Sequence, residues 1–227
     1  MALHNLNKLI FVGVVAVTAA SATSLEATLA NIDRAAGLTG LSADLVYKAY
    51  TASIQADDTE TGKFFFKRTK KHDVRVLFDV QEPEPKAYLF DGPELQMYLP
   101  KEQTRQHYDV GKYKSMVNQV LLLGFGSSSK ELLDSYSIQL GGPETLGAEK
   151  TTRLVLIPKS PDKLGDVNRI ELWISDATGV VTQQKFSAVS GDYKLATYRN
   201  IRIDPRLPDS AVRLNLPKGV KEEYPQK

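Results

Sequence analysis

An apolar period of two, returning in segment after segment from Leu41 onward, restricts the fold of this chain more than any other feature. Leu45, Tyr47 and Ala49 keep it, then Phe64 and Phe66, then Val74, Val76, Phe78 and Val80, then Tyr88 and Phe90, then Leu95, Met97 and Leu99. Side chains of a strand point alternately to opposite faces, so this spacing describes strands with one apolar side. The breaks are short and carry turn residues: Thr61-Gly62, Glu82-Pro83-Glu84-Pro85 and Asp91-Gly92-Pro93. Connections of this length are too short for parallel crossovers, so the strands read as an antiparallel meander. Alternation resumes at Tyr136, Ile138 and Leu140 and continues through residues 153–157, 168–175, 180–189, 194–203 and 212–216.

Three segments carry the helical period instead. Thr23 and Glu26 have capping-box spacing ahead of the stripe Leu25, Leu29, Ile32 and Ala36, which Gly37 closes. Between residues 112 and 123, Tyr113, Met116, Val117, Val120 and Leu121 fall on one side, with Gly124 as the stop. Ser128 and Glu131 repeat the capping-box spacing ahead of Leu132 and Leu133. Roughly ten strands and three helices follow, a mainly β chain with helices (α+β). One large antiparallel sheet interrupted midway by helices curves toward an incomplete barrel, with the helices as a cover over one face.

The first residues describe an exported protein. Lys8 precedes the unbroken apolar run 9–17, and Ala20-Ser21-Ala22 supplies small residues at cleavage spacing, so residues 1–22 read as a signal peptide cut after Ala22. The run is shorter than the roughly 20 residues a membrane span needs. Residues 23–227 then form a single periplasmic domain. The chain contains no cysteine, which excludes a lipobox, a disulfide framework and thiol catalysis.

Little in the sequence supports catalysis. Beyond the leader the histidines are His72 and His107, in no metal-binding array, so no metal or other cofactor is expected. Gly124-Phe125-Gly126 lacks the lysine and the strand-to-helix setting of a phosphate loop and reads as a helix stop. Asp57-Asp58 and Glu82 with Glu84 sit in turn-like segments and read as solvated charge. The formal net charge of +2 gives no field that would recruit nucleic acid. The expectation is a monomeric, non-enzymatic binding protein.

One strand breaks its own pattern. In Lys63-Phe64-Phe65-Phe66-Lys67-Arg68, alternation puts Phe64, Phe66 and Arg68 on the same side. An arginine among inward phenyl rings must find acceptors, in backbone carbonyls or a ligand, or else sit at the rim and snorkel to water.

At these residues the chain resembles the LolA family of periplasmic carriers of outer-membrane lipoproteins. The resemblance spans nearly all of the mature chain. It runs from Gly40-Leu41-Ser42-Ala43-Asp44-Leu45 through Gly62-Lys63-Phe64-Phe65-Phe66-Lys67-Arg68, Gln81-Glu82-Pro83 and Asp91-Gly92 to Met97-Tyr98-Leu99-Pro100. It continues with Leu154-Val155-Leu156-Ile157-Pro158-Lys159, Phe186-Ser187-Ala188-Val189 and Leu216-Pro217-Lys218-Gly219-Val220. Thr69 stands where the family usually has proline, His72 and Val74 replace aromatic positions, and Trp173 is the single tryptophan.

The resemblance implies an incomplete barrel with a helical lid, and a role for Arg68 as the latch that holds the lid by hydrogen bonds when the protein is empty. It also implies an acyl-chain wall of Phe64, Phe66, Val74, Val76, Phe78 and Tyr88. The same inward pattern adds Phe90, Leu95, Met97 and Leu99 to that wall, with Met116, Val120 and Leu121 facing it from the helix. The implied cargo is lipidated protein, taken from an inner-membrane release complex to an outer-membrane acceptor. The same wall would also serve a carrier of another lipid or glycolipid, or a LolA-like periplasmic sensor or binding module.

Overall fold

The alternation becomes one twelve-stranded sheet. The computed structural model describes residues 24–70, 73–111, 123–160 and 164–226. Its strands are β1 (Gly40–Thr51), β2 (Ala56–Lys70), β3 (Asp73–Glu82), β4 (Lys86–Asp91), β5 (Glu94–Leu99) and β6 (Thr104–Asp109) in the first half. The second half supplies β7 (Tyr136–Leu146), β8 (Glu149–Pro158), β9 (Val167–Ser175), β10 (Val181–Ala188), β11 (Tyr193–Ile203) and β12 (Lys221–Glu223). They lie in the order β12-β6-β5-β4-β3-β2-β1-β11-β10-β9-β8-β7. Consecutive strands pair antiparallel within β1 to β6 and within β7 to β11, and β1 pairs with β11 to join the two meanders. Thr61-Gly62, expected at a turn, lies inside β2, and the β1–β2 turn is 52–55. β12 alone runs parallel to its neighbour, β6. The sheet curves without closing, because β7 and β12 remain its two edges.

Two described helices lie over one face of this sheet: α1 (Leu25–Ala35) and α2 (Ser129–Ser135). The cap of α1 is Ser24, whose side chain accepts the Ala27 N–H at 3.1 Å, one residue later than the capping-box spacing placed it. α2 starts with the full box, Ser128 accepting from the Glu131 N–H and Glu131 accepting from the Ser128 N–H. Thr28, Ile32 and Ala35 are the buried residues of α1, while Leu25 and Leu29 pack half-buried against the same cluster. Asp33 ties the helices together, accepting from the Ser129 N–H at 2.7 Å and the Ser129 hydroxyl at 2.6 Å. Close packing of α1 on the β9–β10 turn depends on Gly179, where φ is +74° and a Cβ would collide with the Asn31 carbonyl oxygen. Met116, Val120 and Leu121, with the rest of the expected middle helix up to residue 122, lie outside the described residues, as do Ala22 and His72.

The main core fills the space between the inner face of the sheet and this cover. Leu41, Phe66, Val76, Leu154, Ile170 and Leu172 come to it from the strands, with Ile32, Leu123, Phe125 and Leu132 from the cover. A second, smaller cluster lies on the opposite face, where Leu77, Ala87, Leu89 and Tyr98 pack with Phe65, Leu214, Leu216 and Val220. This corrects the expected strand over 212–216. A 3₁₀ turn (Asp209–Val212) comes first, and the segment after it has no ladder partner. Its alternating leucines report side-chain packing on the back of the sheet, a pattern with the same period as a strand.

Candidate functional site

Register assembles the inner wall. Residues directly opposite in an antiparallel ladder share a face. Phe66 lies opposite Leu41 and Val76, Val76 opposite Phe90, and Phe90 opposite Leu95. The next row runs Phe64, Phe78, Tyr88, Met97, and Arg68 faces Val74 across β2 and β3. Leu99 shares the side of Met97 by alternation. The ten sequence-predicted wall positions within the described residues, and Arg68 with them, therefore stand on one side of β2 to β5.

They are not equally covered. Phe64, Phe66, Val74 and Val76 are buried, whereas Phe78, Tyr88, Phe90, Leu95, Met97 and Leu99 are half-buried. The wall thus passes from a covered centre to a more open flank. At that flank Lys86 and Glu60 form an ion pair at 2.5 Å beside Tyr88 and Tyr47.

The cover over the centre is the segment after residue 122. Phe125, 2% exposed, places its ring 5.0 Å from Phe64, 6.4 Å from Phe66 and 4.8 Å from Tyr198. Phe64 in turn meets Tyr198 at 4.9 Å and Phe78 at 5.2 Å. Tilted and edge-on arrangements of this kind add about 0.5–1.5 kcal/mol per pair beyond burial. A short polar chain anchors the segment: the Tyr198 hydroxyl donates to Gln184 Oε1 at 3.2 Å, and the Gln184 amide donates to the Leu123 carbonyl. Burial, followed by the nearby Tyr47, pushes the Tyr198 phenol well above its ordinary range, so it stays a neutral donor. Gly124 makes the approach possible, since with φ at +85° a Cβ there would collide with Val181 Cγ2. Phe125, Tyr198 and Gln184 were not among the expected site residues. The available signal was an isolated aromatic between two glycines, directly after the stretch expected to be helical.

Arg68 sits where β2 passes the end of α1. Its Nε donates to the Leu38 carbonyl at 3.2 Å and its Nη2 to the Ala36 carbonyl at 3.1 Å. Its backbone N–H donates to the Thr39 carbonyl at 2.9 Å. The last carbonyls of a helix lack internal partners and carry partial negative charge, so a guanidinium suits them. The neighbouring Lys67 faces the other way and pairs with Asp209 and the Leu207 carbonyl.

A cleft of about 530 Å³ opens on the opposite, outer side of the sheet, at the bulge where β1 meets Asn200 (φ +51°), with Asp44, Lys63, Phe65 and Arg202 in its lining. Among the described residues, no group of three or more His, Asp or Glu could hold a metal ion, and no helix is long and apolar enough to cross a membrane.

No protein-family model and no curated protein matches the sequence. Solved structures do resemble it. An uncharacterized conserved protein from Thermus thermophilus superposes with a TM-score of 0.54 at 13% identity, over 89% of this chain and 99% of the other. MucB gives a TM-score of 0.54 at 12% identity, over 85% of this chain and 64% of the MucB chain. A LolA superfamily protein from Nitrosomonas europaea aligns over 86% of this chain and 99% of its own at 13% identity, with a TM-score of 0.37. With the Thermus thermophilus protein and MucB the chain shares its fold alone, here a curved, unclosed and mainly antiparallel sheet with helices over its inner face.

Proposed function

We propose that this protein is a periplasmic carrier that holds the acyl chains of lipoproteins on its inner wall and takes them from the inner membrane to an outer-membrane acceptor. The observation that carries the reading is Phe125. The centre of the apolar wall is shut by one short segment lying on it, and not by closure of the sheet itself.

A cover of that kind solves the energetic problem of a carrier. Full burial of an acyl chain of about 16 carbons gains roughly 12 kcal/mol at ~0.8 per methylene, which would make release slow. Cargo that displaces Leu123, Phe125 and Leu132 forfeits roughly 1.5–3 kcal/mol for each side chain returned to water. The net affinity is then modest and the exchange reversible. In this reading Arg68 is the latch, its two bonds to the end of α1 holding the cover while the site is empty. Phe64, Phe66, Val74, Val76, Phe78, Tyr88, Phe90, Leu95, Met97 and Leu99 form the wall, and Met116, Val120 and Leu121 would add to it. Residues 23–227 act as one domain after export, with the leader removed after Ala22.

Native mass spectrometry with lipid extraction, on protein isolated gently from its own periplasm, tests the assignment. The expected mass is the chain from Thr23 plus a lipidated polypeptide. Glycolipid or phospholipid as the sole ligand would make the protein a carrier of that lipid, and a bound protein without acyl chains would make it a binding module.

A further inference from the structure

Two hairpin tips adjoin at one end of the sheet. The β1–β2 turn (52–55) carries Ile54, and the β10–β11 turn (189–192) carries Val189. Because β1 pairs with β11, with Tyr50 opposite Tyr193, the turns lie side by side. They are fastened where the Ala52 N–H donates to Asp192 Oδ1 at 2.7 Å. Ile54 is 71% exposed and Val189 78%, whereas the other exposed large apolar side chains among the described residues reach 38–47%. Within the two turns the single charged residue is Asp192, whose carboxylate accepts the Ala52 N–H, and residues 51–55 and 188–191 carry no charge.

What stands behind the tips has an order of its own. Tyr50 and Tyr193 stack with ring centroids 4.9 Å apart, directly beneath the turns on the outer face. Next comes Lys185, whose ammonium lies 4.4 Å from the centroid of the Tyr193 ring, and Lys48, paired with Asp57. Apolar tip, then aromatic rings with polar ends, then ammonium groups on flexible stems is the sequence of environments met on leaving a bilayer interior.

We infer that the joined tips bearing Ile54 and Val189 are a membrane-contact point, at which these two side chains enter the interface of a phospholipid bilayer. A protein partner fits the surface poorly, since stable protein interfaces bury about 800 Å² per side on complementary surfaces, and here two single side chains project from two narrow turns. A fluid interface accommodates projections of this kind. Asp57, Asp58, Asp166 and Asp192 lie around Lys48, Lys185 and Lys194 at this end, so the contact works by apolar insertion and not by attraction to anionic lipid. The inference rests on the carrier reading for its purpose, a protein that visits membranes, and on the hairpins for its geometry.

The absence of cysteine allows a direct test. Ile54→Cys, Val189→Cys and, at the far end of the sheet, Ser210→Cys are each labelled with a polarity-sensitive fluorophore and mixed with phosphatidylcholine vesicles, with and without phosphatidylglycerol. Labels at 54 and 189 shift to the blue on both vesicle types, and the label at 210 does not. In vesicle sedimentation, the unlabelled Ile54→Ser/Val189→Ser double variant binds more weakly by roughly tenfold per side chain removed, as expected for partial burial of one aliphatic group. Both positions are exposed, so its melting temperature stays that of the wild type. Failure of the wild type to bind either vesicle, or equal binding by the double variant, overturns the inference. So does sedimentation equilibrium showing self-association that the double variant loses, which would assign the tips to a second copy. Uptake of an acyl-chain probe, measured in the same variants, is unaffected if the tips only touch membrane. Its absence in the wild type would remove the carrier reading while leaving the vesicle result to stand.

Discussion

Arg68 and Ala36, 32 residues apart, are joined by a 3.1 Å hydrogen bond from a β2 guanidinium to the end of α1. Bonds from a charged donor are worth about 1.5–3 kcal/mol each, and leucine at this position would keep the apolar contact while removing them. Arg68→Leu is expected to remain folded and to take up lipidated cargo, but to deliver it slowly or fail to return to the closed state. Uptake and delivery are assayed separately. Delivery at the wild-type rate would reduce Arg68 to a helix cap.

Gly124 tests the fit of the cover. In Gly124→Ala the new methyl meets Val181 in a backbone conformation unfavourable to L residues, so the segment must lift from β10. A loss of about 1–3 kcal/mol in denaturant titration is expected, together with faster uptake of an acyl probe. Gly37→Ala, which meets no atom within 4 Å, should change stability by less than about 0.5 kcal/mol and leave uptake alone.

The edge strand β12 carries a pH dependence. His107 lies between Glu94, at 2.5 Å from Nδ1, and Glu222, at 2.7 Å from Nε2, with its ring stacked on Tyr224. Burial alone would lower its pKa, but the two carboxylates outweigh that and raise it. A raised folded-state value stabilises fully below the ordinary imidazole range, near pH ~6.5, and the contribution is lost as pH rises through the shifted value. Glu222 is held down to about 2, by Arg105 first and His107 second, so its share persists until strongly acid conditions. Protection factors of the amides of residues 221–223 should therefore be highest in mild acid and fall as pH rises past neutrality. His107→Gln should flatten that profile. Constant protection from about pH 5 to 8 in the wild type would exclude a role for His107 in holding β12.

The sheet was legible because a strand records its register every second residue. Phe64, Val76, Phe90 and Leu95 could be placed on one side before any partner was known, and the pairings agree. The second cluster left a signal that alternation obscures. Phe64-Phe65-Phe66, Val76-Leu77-Phe78, Tyr88-Leu89-Phe90 and Met97-Tyr98-Leu99 are unbroken apolar runs, as expected where both faces are covered. β12 was not legible, because Lys221-Glu222-Glu223 has no apolar pattern and is held by Arg105, His107 and backbone pairing brought from more than 100 residues away. Phe125 was missed for a related reason. A single aromatic in a turn has no period, and its importance comes from Phe64 and Tyr198, which only the folded sheet brings to it.

The claim that cover and cargo compete for one surface is tested most directly by the affinity of Phe125→Ala for an acyl-chain probe, with the variant shown to be folded by its circular dichroism. A residue that only stabilises a core would weaken binding or leave it unchanged when truncated. A competitor, once removed, strengthens it. Loss of the Phe125 ring from the closed state is predicted to tighten probe binding by roughly 10- to 100-fold, the equivalent of about 1.5–3 kcal/mol of burial no longer forfeited. Equal or weaker binding by the folded variant would contradict the account.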